Sequence, residues 1–245
     1  MTAARHYRIP FTRRAFLLGS TALLMAQPGL AFAKVVRGEM PWSPGAGSSP
    51  PDQVIAGDWV FFTPEEGALV EAMVDRVIPA DDRTPGGKDM GCAVFIDHQL
   101  AGSYGRSEWL YMQPPFAKGS PQQGPQSSLT PAARYRQFLP AFDAYVRKEY
   151  GDKSFVALSD KDKDAILSNL EAGKVTLGSI DSVAFFDLLL KDTKEGFFSD
   201  PVYGGNRNMA AWKMIGFPGA RYDYSDWVDR HNERYPLPPT GIAIN

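Results

Sequence analysis

His98 stands beside Asp97 in Phe95-Ile96-Asp97-His98-Gln99-Leu100, and an imidazole next to a carboxylate is a pairing that can move protons near neutral pH. If a pocket forms there, His98 can serve as acid or base. The other reading is a structural or partner-facing histidine, because adjacent residues of a helix point about 100° apart and Asp97 is poorly placed to orient the ring. Asp81, Asp82 and Arg83 are the charged residues such a site would draw on, although they read most simply as a solvated turn. Tyr203-Gly204-Gly205-Asn206 is the nearest approach to a phosphate-binding loop. No Gly-x-Gly-x-x-Gly or Walker pattern accompanies it, and a turn leading into a helix explains it. No serine sits in a Gly-x-Ser-x-Gly elbow.

Cys92 is the only cysteine. An internal disulfide, an all-cysteine iron–sulfur cluster and a c-type haem attachment are therefore excluded, since each needs two or more. Two readings of Cys92 stay open: a small buried apolar residue, or half of an intersubunit disulfide in an oxidising compartment. Beyond residue 33 the only histidines are His98 and His231, far apart and in no metal-binding pair. The residues show neither a cofactor-binding motif nor a metal-ligand set.

The elements that must position these residues are mostly helical. Thr63 is a helix N-cap, Pro64 fits the first turn and Glu66 completes a capping box. Leu69, Val70, Met73, Val74, Val77 and Ile78 then recur at helical spacing until Pro79 stops them. A short helix is predicted from Cys92 to Leu100 and another from Pro131 to Tyr150, with Pro140 as a kink or break. Ser159 caps a helix through Leu170. Asp181 to about Glu195 is apolar on most of its surface and is predicted to be central. A last short helix covers Met209 to Ile215. Residues 101–129 read as a loop of nearly 30 residues, long enough to suggest a functional or partner-contacting segment. Its Tyr104, Trp109, Tyr111, Met112 and Phe116 are too apolar for simple disorder. The fold class is mainly α: one irregular helical domain over 61–245, long partner-wrapping loops, an extended arm over 34–60 that carries Trp42, and an irregular aromatic tail over 216–245.

The first 33 residues contain Arg5, Arg8, Arg13 and Arg14 and no acid, then an apolar run from Ala15 to Ala26, then Pro28 and Ala31-Phe32-Ala33. This is the order of a bacterial signal peptide, with the cut expected between Ala33 and Lys34. Arg13 and Arg14 followed by Phe16 and Leu17 resemble the twin-arginine export motif, an address read by a receptor. An uncleaved membrane anchor is the other reading. A bilayer core needs about 20 apolar residues, however, and Gly19, Ser20 and Thr21 interrupt this run. Without the leader 212 residues remain, enough for one medium domain. They carry 22 basic against 28 acidic residues, a formal charge of −6 with no basic stripe, so nucleic acid is not an expected partner.

Three stretches taken together carry a resemblance: the leader, the capped Phe61-to-Leu100 segment containing Ile78-Pro79-Ala80-Asp81-Asp82 and Pro85-Gly86-Gly87, and the late Phe197-to-Tyr224 segment containing Tyr203-Gly204-Gly205-Asn206 and Gly216-Phe217-Pro218-Gly219. In this order they resemble the small third subunit of gluconate 2-dehydrogenase, and related small subunits that accompany other membrane-bound flavoprotein sugar and polyol dehydrogenases. The likeness covers nearly the whole chain after the leader. It implies a noncatalytic subunit beside a large flavoprotein that binds FAD and oxidises gluconate, and a multihaem cytochrome c subunit that passes electrons to ubiquinone. It also implies a periplasmic place on the cytoplasmic membrane and a role in stabilising and exporting the flavoprotein. Twin-arginine export moves folded proteins, so a partner loaded with flavin could cross on this chain's address. Trp42, Tyr104, Trp109, Tyr111 and Phe116 are then the expected partner contacts, since aromatics concentrate at the energetic centres of interfaces. A freestanding periplasmic enzyme built around His98 is the alternative, and a sugar-binding module is a third reading.

Overall fold

A computed structural model describes Gly38 and residues 52–55, 57–117, 119–123 and 127–242. Arg13, Arg14, Phe16, Leu17, Ala33, Lys34 and Trp42 lie outside the described residues. Among the described residues six α-helices carry the fold: α1 (Pro64–Val77), α2 (Cys92–Ala101), α3 (Pro131–Glu149), α4 (Asp160–Glu171), α5 (Ser182–Phe198) and α6 (Ala210–Ile215). Among the described residues there is no β-strand beyond isolated bridges at Leu177–Ile180 and Gly219–Thr240, so the chain is mainly α, as its periodicity predicts. No described helix is long and apolar enough to cross a membrane.

The helix starts follow local chemistry. The Thr63 hydroxyl accepts from Glu66 N at 3.2 Å while the Glu66 carboxylate accepts from Thr63 N at 2.9 Å, which satisfies two end groups that the helix itself cannot pair. Thr130, Ser159 and Asp181 cap α3, α4 and α5 with a single bond each, their side-chain oxygens accepting from Ala133 N, Asp162 N and Ala184 N. Arg76 ties α1 to α4 through a two-pronged contact with Asp164 at 2.6 and 2.8 Å and a third bond to Asp160 at 3.1 Å.

α5 is central and packs against all five of the other described helices. Its Phe185 stacks on Phe138 of α3 with ring centres 3.5 Å apart, and Tyr135 meets the same ring edge-on at 5.0 Å. Phe142 and Phe155 extend this aromatic core. Gly196 lets α5 approach Phe95 of α2, where a Cβ would crowd the ring.

Two sequence expectations change here. Pro140 does not break α3, which runs without interruption from Pro131 to Glu149. Pro140 is on the exposed side while Phe138, Leu139 and Phe142 are buried, so packing on both sides of the missing hydrogen bond outweighs its loss. Nor is the 101–129 segment simply a loop. Its first third is a series of tight turns, and Pro121–Gln123 forms a 3₁₀ turn.

Candidate interaction surface around Tyr104 and Trp109

The turns after α2 are tied at both ends. Gly105 N donates to Gln99 O at 3.0 Å, and Gly105 O accepts from Ala132 N at 3.1 Å, so the segment is fastened to the end of α2 and the start of α3. Gly105 lies so close to the Leu100 backbone that a Cβ would collide with it. Ser107 is buried, and Arg106 braces the turn by donating to Ala101 O at 2.7 Å and pairing with Glu108 at 2.7 Å.

Beneath the turns lies Asp192, buried on α5. Its two oxygens accept separately, Oδ1 from the Tyr104 hydroxyl at 2.6 Å and Oδ2 from the Tyr135 hydroxyl at 3.0 Å. Burial pushes the Asp192 carboxyl up to about 6, while the hydrogen bond from Tyr104, Lys191 and the hydrogen bond from Tyr135 hold it from rising further. Both phenols are pushed upward, first by burial and then by the neighbouring carboxylate. Lys191 stands 3.6 Å from Asp192 and 2.8 Å from Glu195, with its ammonium 4.9 Å from the Tyr104 ring centre. A carboxyl tuned towards neutrality can transfer protons. Here both oxygens are committed to phenols within the core, and the arrangement acts as an anchor for the turn above it.

What the anchor presents is aromatic. Tyr104 is half-buried and turned inward, so of the expected contacts it serves as a platform: Trp109 lies parallel to it, the ring centres 6.5 Å apart and the planes 7° from parallel. Trp109 is 63% exposed and Tyr111 86%, with Leu110 and Phe116 also exposed. Large aromatics exposed on a fastened turn make this a candidate interaction surface.

The other candidates are dispersed. Asp97 and His98 share no hydrogen bond. The buried Asp97 carboxylate accepts three backbone N–H groups, from Val60 at 2.8 Å, Phe61 at 2.9 Å and Phe62 at 2.8 Å, and thereby fixes the approach to α1. The half-buried His98 imidazole makes no hydrogen bond or ion pair with a described residue. Asp81 caps its own turn, accepting from Arg83 N and Thr84 N at 2.8 Å, and those bonds hold its carboxyl below the usual range. Cys92 has no exposed surface, and burial pushes its thiol up to about 12; a bridge to another chain would require the start of α2 to open. Tyr203-Gly204-Gly205-Asn206 is a turn between elements: Gly204 has φ 91°, Gly205 passes against the backbone of Gly196, and the buried Asn206 joins Ser199 O to Ala211 N. Among the described residues no three His, Cys, Asp or Glu side chains converge as a metal ion would need.

Sequence reasoning missed Asp192 and Tyr135. The available signal was an acid inside the apolar run of α5, which has to find donors wherever it is buried.

The profile of the family described as gluconate 2-dehydrogenase subunit 3 matches residues 64–219, from the first residue of α1 to just beyond α6. The chain belongs to the gluconate 2-dehydrogenase subunit 3 family. It is thus a small subunit of such an oxidoreductase complex, and the six helices together with the Asp192 anchor all lie inside the matched region. No curated protein and no solved structure matches the chain.

Proposed function

We propose that this subunit is noncatalytic. It clasps the FAD-bearing subunit of a membrane-bound gluconate 2-dehydrogenase, which passes electrons through a cytochrome c subunit to ubiquinone, and carries that flavoprotein into the periplasm on its twin-arginine leader. The observation that carries the reading is the exposed Trp109–Tyr111 surface, held on a buried Asp192 anchor within a family that works as one subunit of several. A freestanding surface gains nothing from leaving these rings in water, whereas an interface gains their full burial.

The test is co-expression with a flavoprotein dehydrogenase subunit, affinity purification through this chain, and the flavin spectrum of the product. Wild type should bring down a flavin-containing partner. Trp109→Ala with Tyr111→Ala should lower its recovery at least about tenfold, the scale of paired hot-spot losses, with folding unchanged. A wild-type chain recovered alone and colourless would end the reading. Changing Arg13 and Arg14 to Lys should leave the flavoprotein in the cytoplasm; normal periplasmic activity in that variant would remove the export role.

A further inference from the structure

The chain after the matched region folds back on α6. Ala220 N donates to Thr240 O at 2.7 Å, and Asp200 accepts from Ile242 N at 2.8 Å, so residues 220–240 close into a loop fastened at its base. Between this loop and the end of α6 lies an open groove of about 710 Å³. One wall is aromatic, with Tyr235 4.9 Å from Trp227 and 6.0 Å from Tyr224 between ring centres. Ile215, 56% exposed, adds apolar surface.

Lys213, Arg230 and Arg234 also line the groove, with Glu233 as its carboxylate. None of the three cations is ion-paired with a described residue, although Arg230 lies 4.7 Å over the Trp227 ring. Three cations and one acid give the groove's lining a formal charge of +2 in a chain whose overall charge is −2, with Asp223, Asp226 and Asp229 of the same loop outside that lining, and the lining favours negative groups. The cations come from α6 and two points of the loop, and they are exposed rather than gathered around one buried point. That spacing suits several carboxylates along an extended chain better than one small anion. Tyr, Trp and Arg are also the residues that carry binding energy at polypeptide interfaces.

We infer that this groove takes an acidic, extended segment of another polypeptide. Trp227, Arg230, Arg234 and Tyr235 all lie beyond residue 219, where the family match ends, so the groove is assembled largely from residues outside the shared region. The identity of the polypeptide as a partner subunit rests on the proposed function; the groove's preference for acidic chains does not.

The full chain is titrated with a fluorescein-labelled peptide of alternating Glu and Gly, with the Lys-Gly peptide as control, and anisotropy is recorded at low and high salt. The Glu peptide should bind, weaken with salt and exceed the Lys peptide. Lys213→Glu, Arg230→Glu and Arg234→Glu combined should weaken it at least about tenfold. The corresponding Gln triple should shift affinity in the same direction with unchanged helical circular dichroism, which guards against misfolding of the Glu variant. No binding of the Glu peptide, binding by both triple variants as tight as wild type, or displacement by free gluconate at concentrations comparable to the peptide would overturn the inference. Co-purification separates the two claims. A wild-type chain that binds the Glu peptide but retains no flavoprotein ends the subunit reading and leaves the groove's preference standing. Undiminished flavoprotein recovery by a Glu triple variant that has lost the peptide overturns the groove as a subunit contact.

Discussion

Asp97 and Asp192 are both carboxylates buried on helices, yet they are satisfied in opposite ways. Asp97 on α2 receives three backbone N–H groups from the consecutive residues Val60, Phe61 and Phe62. Asp192 on α5 receives two phenolic hydroxyls from residues far apart in sequence. Backbone donors are present whatever the side chains are, so Asp97 fixes the path of the chain before α1. Phenols are side-chain choices, so Asp192 fixes particular rings, and through Tyr104 it sets the place of Trp109. The first carboxylate shapes the fold; the second aims a surface.

The largest expected effect is at Asp97. Asp97→Ala leaves three N–H groups around a closed site without their acceptor, and should cost about 3–5 kcal/mol in urea-induced unfolding. A loss below about 1 kcal/mol would mean that water replaces the carboxylate, and the contrast with Asp192 would collapse. Asp192 should show itself through pH. Burial raises its carboxyl from an ordinary 3.8 to about 6 in the folded chain. The folded state therefore holds its proton more tightly than the unfolded one. The stabilisation from that proton is complete below about pH 4 and is lost as pH rises through 6. Relative to Asp192→Asn, the wild type should lose on the order of 2 kcal/mol between pH 4 and 7; parallel pH profiles for the two proteins would exclude this. A smaller effect is expected from the phenols. Tyr135→Phe and Tyr104→Phe should each cost about 1 kcal/mol and move the Asp192 transition to higher pH, and only Tyr104→Phe should also loosen Trp109, seen as a change in its fluorescence. Identical responses from the two variants would show that Tyr104 has no special part in aiming the surface.

Much of this was legible along the chain, for a local reason. A capping box, a proline in the first turn and a repeat near four residues act over a single helical turn, so the start of α1 and the Ser159 cap of α4 fall where the residues predict them. The central position of α5 followed from its apolar circumference. The uninterrupted α3 did not, because the energy that carries it past Pro140 comes from Phe138, Leu139 and Phe142 packing on other helices. The turns after Tyr104 were hidden for a similar reason: Gly105 and Ser107 are held by contacts with α2 and α3, and a Gly- and Pro-rich composition carries no period. His98 and Asp97 are adjacent in sequence, and the step of about 100° between neighbours on a helix already marked them as a poor pair; the structure adds that the carboxylate is engaged by backbone from 36 residues away.

By itself, then, the sequence determined the helical class, where most helices begin, the want of a second cysteine and the family to which the chain belongs, since each is written in residue types at short spacing. Only the tertiary structure decided which acids are buried and what satisfies them, that Tyr104 supports while Trp109 and Tyr111 face solvent, and that three cations from separate segments share one groove. Those outcomes depend on which distant residues share the low-dielectric interior or an open edge, and no local pattern encodes that choice.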